Sequence, residues 1–129
     1  LDAGASVCIG TDGRSSNPDY SLWSELLFLT RQSDAEKWPR ILAAGTRSGA
    51  KAFGLENSAG TLTPGKRADL TLISLPESTG ADPWTSLFAP HAKPVVTIVN
   101  GLATGAAASA AEPCNADREL RTMLLDRLA

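Results

Sequence analysis

Asp12, Arg14, Ser16 and Asn17 are gathered in one short stretch, Ser6–Asn17 (SVCIGTDGRSSN). A carboxylate at the position of Asp12 can ligate a metal ion, or take the proton from a metal-bound water as that water attacks a substrate. It can also do no more than cap a turn, because Asp followed by Gly is a common turn dipeptide. Ser16 and Asn17 stand close enough in sequence to orient the acid or to touch a substrate, and simple turn stabilisation is an equal alternative. Arg14, the one cation of the loop, could meet an anionic substrate group or remain a solvated surface residue. The single histidine, His91 in Ala89-Pro90-His91-Ala92, reads as a surface loop residue far along the chain.

The elements around that loop decide what it can do. Val7, Cys8 and Ile9 form an apolar run without polar alternation, which predicts a strand covered on both faces. A carboxylate at the C-terminal tip of such a parallel strand is where (β/α)-barrel enzymes place their chemistry. Downstream, Pro18 disfavours helix at Asn17, and Asp19 can accept a hydrogen bond from the first turn of a helix. Leu22, Leu26 and Leu29, joined by Trp23, Leu27 and Thr30, recur at helical spacing through about Arg31 and give one face that can pack on a sheet. Trp23 and Phe28 are read as part of that packing stripe, with no ligand role. Ser33-x-x-Glu36 fits a capping box. Pro39 either kinks that helix or starts the next. Ile41–Ala44 and Ser48–Phe53 read as small-residue helices interrupted by Gly45-Thr46, with Gly54 as a C-cap.

From Leu55 the character changes. Gly60–Gly65 predicts a short strand and a Pro-Gly turn of type II, with Gly65 at positive φ. Ala68–Ile73 alternates Leu and Thr as a half-buried strand does. Lys66, Arg67 and Asp69 read as turn charges, with one carboxylate pairing to nearby backbone amides. Pro83 and Trp84 are expected in a loop. Val95–Val99 carries the strongest strand pattern and closes on the turn pair Asn100-Gly101. The chain then becomes rich in Ala, Gly and Ser, a connector composition, before a final amphipathic helix with Leu120, Met123, Leu124 and Leu128 on one face.

Composition limits the partners. The formal net charge is −2, and no cluster of Lys or Arg is present, which argues against nucleic acid. No apolar run reaches membrane-spanning length. Cys8 and Cys114 make no disulfide framework, and two reduced thiols point to a cytoplasmic protein. The chain opens on Leu1 as though mid-fold, so it reads as the C-terminal piece of a larger polypeptide.

Three motifs in order carry a family resemblance. Gly10-Thr11-Asp12-Gly13 with Ser16-Asn17 resembles the last barrel strand of the amidohydrolase superfamily. The nearest branch is that of cytosine and guanine deaminases, adenosine-type deaminases and triazine chlorohydrolases. Thr46-x-x-Gly49-Ala50-x-Ala52-x-Gly54-Leu55 resembles the closing helix of that branch. Gly60-Thr-Leu-x-x-Gly65-Lys66-x-Ala68-Asp69-Leu70 resembles its return into a small β-sandwich, and Val95–Gly101 is similar to the sandwich strand that follows.

The resemblance implies an α/β protein: the C-terminal part of a metal-dependent (β/α)8 barrel plus returning strands of a small β-sandwich domain. Residues 1–54 would hold the last barrel strand and closing helices, 55–102 the sandwich part, 103–114 the Ala-rich connector and 115–129 the C-terminal helix. It also implies one divalent metal, zinc or iron, with Asp12 both ligand and proton relay. The other ligands in such enzymes are histidines on earlier strands that this chain does not contain, so the chain alone is expected to be inactive. Arg14, Ser16 and Asn17 are the candidate substrate contacts. The expected partners are a small-molecule substrate, the remainder of the parent barrel and a second copy of the protein. The implied parent reaction is hydrolytic deamination of an amino-substituted heterocycle. Alternatives are chlorohydrolase-type or cyclic-amide hydrolysis, a non-catalytic remnant serving as an interaction domain, and an unrelated α/β binding domain.

Overall fold

Ser21, not Asp19, begins the first helix. In the computed structural model, which describes residues 5–17, 19–76 and 82–104, the Ser21 hydroxyl accepts the Ser24 N–H at 3.1 Å and caps α1, Leu22–Arg31. Asp19 braces that cap from outside: its carboxylate accepts the Ser21 N–H at 2.9 Å and the Ser24 hydroxyl at 2.8 Å. A 3-10 turn at Ala35–Lys37 leads into α2, Trp38–Ala44, with Pro39 in its first turn. Pro39 therefore starts a helix, where its missing N–H costs nothing. The expected capping box at Ser33 and Glu36 is not formed, because the turn opens one residue later, from Asp34. Gly45 and Thr46 separate α2 from α3, Arg47–Ala52, and Gly54 follows at φ 68°, the left-handed conformation that closes a helix.

The helices meet on small and apolar side chains. Leu26, Ile41 and Ala44 are buried, and Gly45 lets Leu26 approach so closely that an added Cβ would stand 3.0 Å from its Cδ2. Phe28, assigned to the packing stripe by its spacing, faces solvent at 58 % exposure, because it lies off the face that meets α2.

The strand expected at Val7–Ile9 is not present. The segment is irregular, with Val7 and Cys8 exposed, and its tie to the helices is a bond from Ile9 N–H to the Ala44 carbonyl at 3.1 Å. No strand among the described residues lies beside it, so its backbone has no ladder to join. It borders instead an open groove of about 680 Å³ against α2 and α3.

Gly60–Thr63 likewise forms no strand. The segment from Leu55 to Arg67 is a loop tied by Leu55 N–H to Ala50 O, Arg67 N–H to Ser58 O, and the Lys66 ammonium to Thr61 Oγ1 and Glu56 O. Gly60, at φ 87°, crosses α3 so tightly that an added Cβ would fall 2.6 Å from the Ala50 Cβ. Gly65 does adopt the expected positive φ, at 87°.

The sheet has three antiparallel strands in the order β1 (Leu70–Ser74), β2 (Lys93–Val99) and β3 (Leu102–Thr104). Leu70 faces Ile98 and Leu72 faces Val96, but Ile73 faces Pro94, so Val95 is the extra residue of a bulge. Pro94 cannot donate to a ladder, which suits it to the bulge. Asn100 and Gly101, with φ of 52° and 82°, make the two-residue turn that matches strand twist. β3 carries the hairpin two residues into the segment assigned to the connector; the connector beyond Thr104, Cys114 and the final helix lie outside the described residues.

Between β1 and β2 the structure corrects a further expectation. Pro83 and Trp84 begin a short helix, α4 (Pro83–Leu87), capped by Asp82, whose Oδ2 accepts the Thr85 N–H at 2.8 Å. Asp before Pro at the first helical position is an N-terminal signal that the loop reading overlooked.

Candidate functional site

Asp12 is presented by a turn rather than by a strand end. Its φ of 56° lies in the left-handed region, which Asp tolerates better than most residues. The carbonyl of Gly13 then accepts both the Ser16 N–H at 3.0 Å and the Asn17 N–H at 2.9 Å, folding the loop back over itself. This brings the Ser16 hydroxyl to 2.8 Å from Asp12 Oδ2 and 3.0 Å from the Gly13 carbonyl. One hydroxyl carries one hydrogen, so Ser16 donates to one acceptor at a time. The Asp12 carboxylate is exposed, and its Oδ1 makes no hydrogen bond to the described residues.

The four loop residues singled out by sequence are divided by the fold. Ser16 joins Asp12 directly. Asn17 turns the other way: it is only 7 % exposed, and its Nδ2 donates to Glu25 Oε1 of α1 at 2.6 Å. Arg14 sets its guanidinium over the Tyr20 ring, 5.8 Å from the centroid, a distance at which a cation and an aromatic face attract. Tyr20 and Glu25 were not legible as parts of this site. The one available sign was an acidic residue in the first turn of the helix after the loop, which is also an ordinary response to the helix dipole.

A divalent metal would find one ligand here. Among the described residues no group of three or more His, Cys, Asp or Glu side chains could hold an ion. The free oxygen and exposure of Asp12 fit a single carboxylate ligand. His91 is exposed on the turn before Ala92, as its sequence context indicates. Asp12, Ser16 and Asn17 do not line the groove beside α2 and α3, where the charged residues among those described are Arg40, Arg47, Lys51 and Glu56. Asp69 is engaged in the sheet, where it accepts the Asn100 N–H at 2.7 Å and pairs with Arg67 at 3.1 Å.

A sequence model of the amidohydrolase family matches residues 1–103, and the chain belongs to that family. The family implies a (β/α)8 barrel; the described residues form a mixed α/β arrangement with a three-stranded antiparallel sheet. Among curated relatives, the 5-methylthioadenosine/S-adenosylhomocysteine deaminase of Moorella thermoacetica is 42 % identical over 82 residues, 58 % of this chain and 19 % of its own length. The adenosine deaminase of Helicobacter pylori is 38 % identical over 103 residues, covering 78 % of this chain and 25 % of that protein. A 5-methylthioadenosine/S-adenosylhomocysteine deaminase from Dictyoglomus thermophilum is 29 % identical across 95 % of this chain. The chain spans about a fifth to just under a third of the length of these curated relatives. Among the described residues no helix is long and apolar enough to cross a membrane.

Proposed function

We propose that the whole protein carrying this chain is a metal-dependent deaminase that hydrolyses the exocyclic amine of an aminopurine nucleoside, with Asp12 as its proton-transferring acid. Water adds to the ring carbon that bears the amine, and its proton passes to Asp12. The carbon–nitrogen bond then breaks as Asp12 returns the proton to the departing nitrogen, releasing ammonia; the second water proton moves from oxygen to the adjacent ring nitrogen, which gives the ring carbonyl. An amine must be protonated to leave, whereas chloride departs as a stable anion, so ammonia release makes fuller use of this acid. Zinc or iron, ligated by Asp12 and by histidines from elsewhere in the barrel, would lower the pKa of the attacking water.

The observation that carries this reading is the exposed Asp12 carboxylate, bonded on Oδ2 by Ser16 and, among the described residues, without a hydrogen bond on Oδ1. The likeness to enzymes named as adenosine and methylthioadenosine deaminases supports the choice of substrate class. Ser16 is assigned the orientation of Asp12, and Arg14 a place at the rim of the substrate site. Asp12→Asn keeps the size of the side chain while removing its charge and basicity. Turnover of the whole protein should fall by a factor on the order of 10² to 10⁴ with little change in melting temperature. Turnover within a few-fold of wild type would return Asp12 to the role of a turn residue.

A further inference from the structure

We infer that Glu25 is a positioning residue for the Asp12 loop, acting through the buried amide of Asn17; the catalytic part of this inference rests on the role proposed for Asp12. Asn17 is 7 % exposed, and its Nδ2 meets Glu25 Oε1 at 2.6 Å. A bond from an amide to a carboxylate is stronger than one between neutral groups, and a buried donor left without a partner is costly. Glu25 itself is anchored on the first turn of α1, whose start is held by Ser21 and braced by Asp19. The Asn17 side chain is thus a peg set in a rigid helix.

The peg controls the acid because the loop is short and closed. Asn17 and Ser16 both donate their N–H groups to the Gly13 carbonyl, and the Ser16 hydroxyl reaches Asp12 Oδ2. Releasing Asn17 frees the far end of that turn. With it goes the fixed distance between Ser16 and Asp12, and the left-handed conformation at Asp12 loses its support. Among the described residues Glu25 bonds to the loop through Asn17, whereas Asp12 bonds to Ser16, so the influence of Glu25 passes through Asn17.

The test compares Glu25→Ala, Glu25→Gln, Asn17→Asp and the double variant Asn17→Asp/Glu25→Gln in the whole protein. Hydrogen–deuterium exchange over residues 12–17 is read beside kcat and KM. Glu25→Ala should speed exchange in that segment about tenfold while residues 38–44 of α2 stay protected. Glu25→Gln keeps an acceptor for Asn17 and should retain most of the protection. Asn17→Asp sets two carboxylates face to face and should release the loop, and the double variant restores one donor and one acceptor in reverse order and should re-close it. kcat should follow loop protection across the series, with KM near its original value. Unchanged protection in Glu25→Ala, or failure of the double variant to recover what Asn17→Asp loses, would overturn the inference. If the unmodified protein released no ammonia, the deaminase reading would fail by itself, and the exchange series would still decide whether Glu25 holds the loop.

Discussion

The indole of Trp23 lies stacked on the phenyl ring of Phe88, with centroids 5.9 Å apart and planes inclined by 16°. Phe88 follows α4, in the segment that joins β1 to β2, whereas Trp23 lies in the first turn of α1, two residues from Glu25. Trp38 of α2 meets the same phenyl ring edge-on at 5.5 Å. Both indole N–H groups are used, Trp23 to the Ala92 carbonyl and Trp38 to the Thr30 carbonyl. The crossover between two strands is therefore pinned to the helices that carry the acid loop.

Phe88→Ala should accordingly lower stability by about 2–3 kcal/mol, somewhat under the cost for a fully buried ring because Phe88 is half-buried. Phe88→Leu should recover a large part of that loss. Chemical denaturation measures both. A loss under about 0.5 kcal/mol in Phe88→Ala would mean that the ring covers the indoles without holding them.

Asp69 is a structural acid, and its removal should be felt by the hairpin. It receives the Asn100 N–H at 2.7 Å, while Gly101 N–H reaches the Ala68 carbonyl at 3.0 Å, so the turn at 100–101 docks on the approach to β1. Asp69→Ala should cost about 1–2 kcal/mol, and Asp69→Asn less, since a carboxamide oxygen can still accept that bond. Turnover per folded molecule should be unchanged in both. Selective loss of turnover with normal melting would bring Asp69 into the chemistry and contradict the assignment of Asp12.

The legible parts of this molecule were those whose signals are local. The Leu22–Leu29 periodicity, the Gly45-Thr46 break, the Pro64-Gly65 turn and the Asn100-Gly101 hairpin each depend on a few adjacent residues, and each was found where expected. Val7–Ile9 forms no strand among the described residues because a buried parallel strand is defined by its neighbours, and the described residues supply none. α4 escapes the sequence reading for the opposite reason: its signal, Asp82-Pro83, is local, but Pro and Trp in a short segment also read as loop. In the candidate site, spacing offers Ser16 and Asn17 equally as partners of Asp12, and the structure gives that bond to Ser16. The Asn17–Glu25 bond spans the helix start and could not be read from sequence.

Acid should loosen the two caps. The Asp19 carboxyl is held below its ordinary value of 3.8 by the Ser21 N–H, with help from the Ser24 hydroxyl. Asp82 is held below the same value by the hydroxyl and then the backbone N–H of Thr85. A carboxyl whose folded pKa is depressed stabilises the fold above its unfolded value, and that contribution is lost as pH falls through the folded value. Melting temperature should therefore gain no slope from these groups above about pH 5 and should decline below the ordinary carboxyl value. Asp82→Asn, which still caps but does not titrate, should flatten that decline. An unchanged acid slope in the double variant Asp19→Asn/Asp82→Asn would show that the caps do not contribute to it.

Ammonia release by the whole, metal-loaded protein is the measurement closest to the central claim. A coupled ammonia assay over aminopurine nucleosides, aminopyrimidines, a chloro-substituted triazine and a cyclic amide covers the competing reactions. Ammonia is expected from at least one aminopurine nucleoside, abolished or nearly so in Asp12→Asn. Halide release without ammonia, or hydrolysis of the cyclic amide alone, would contradict that claim.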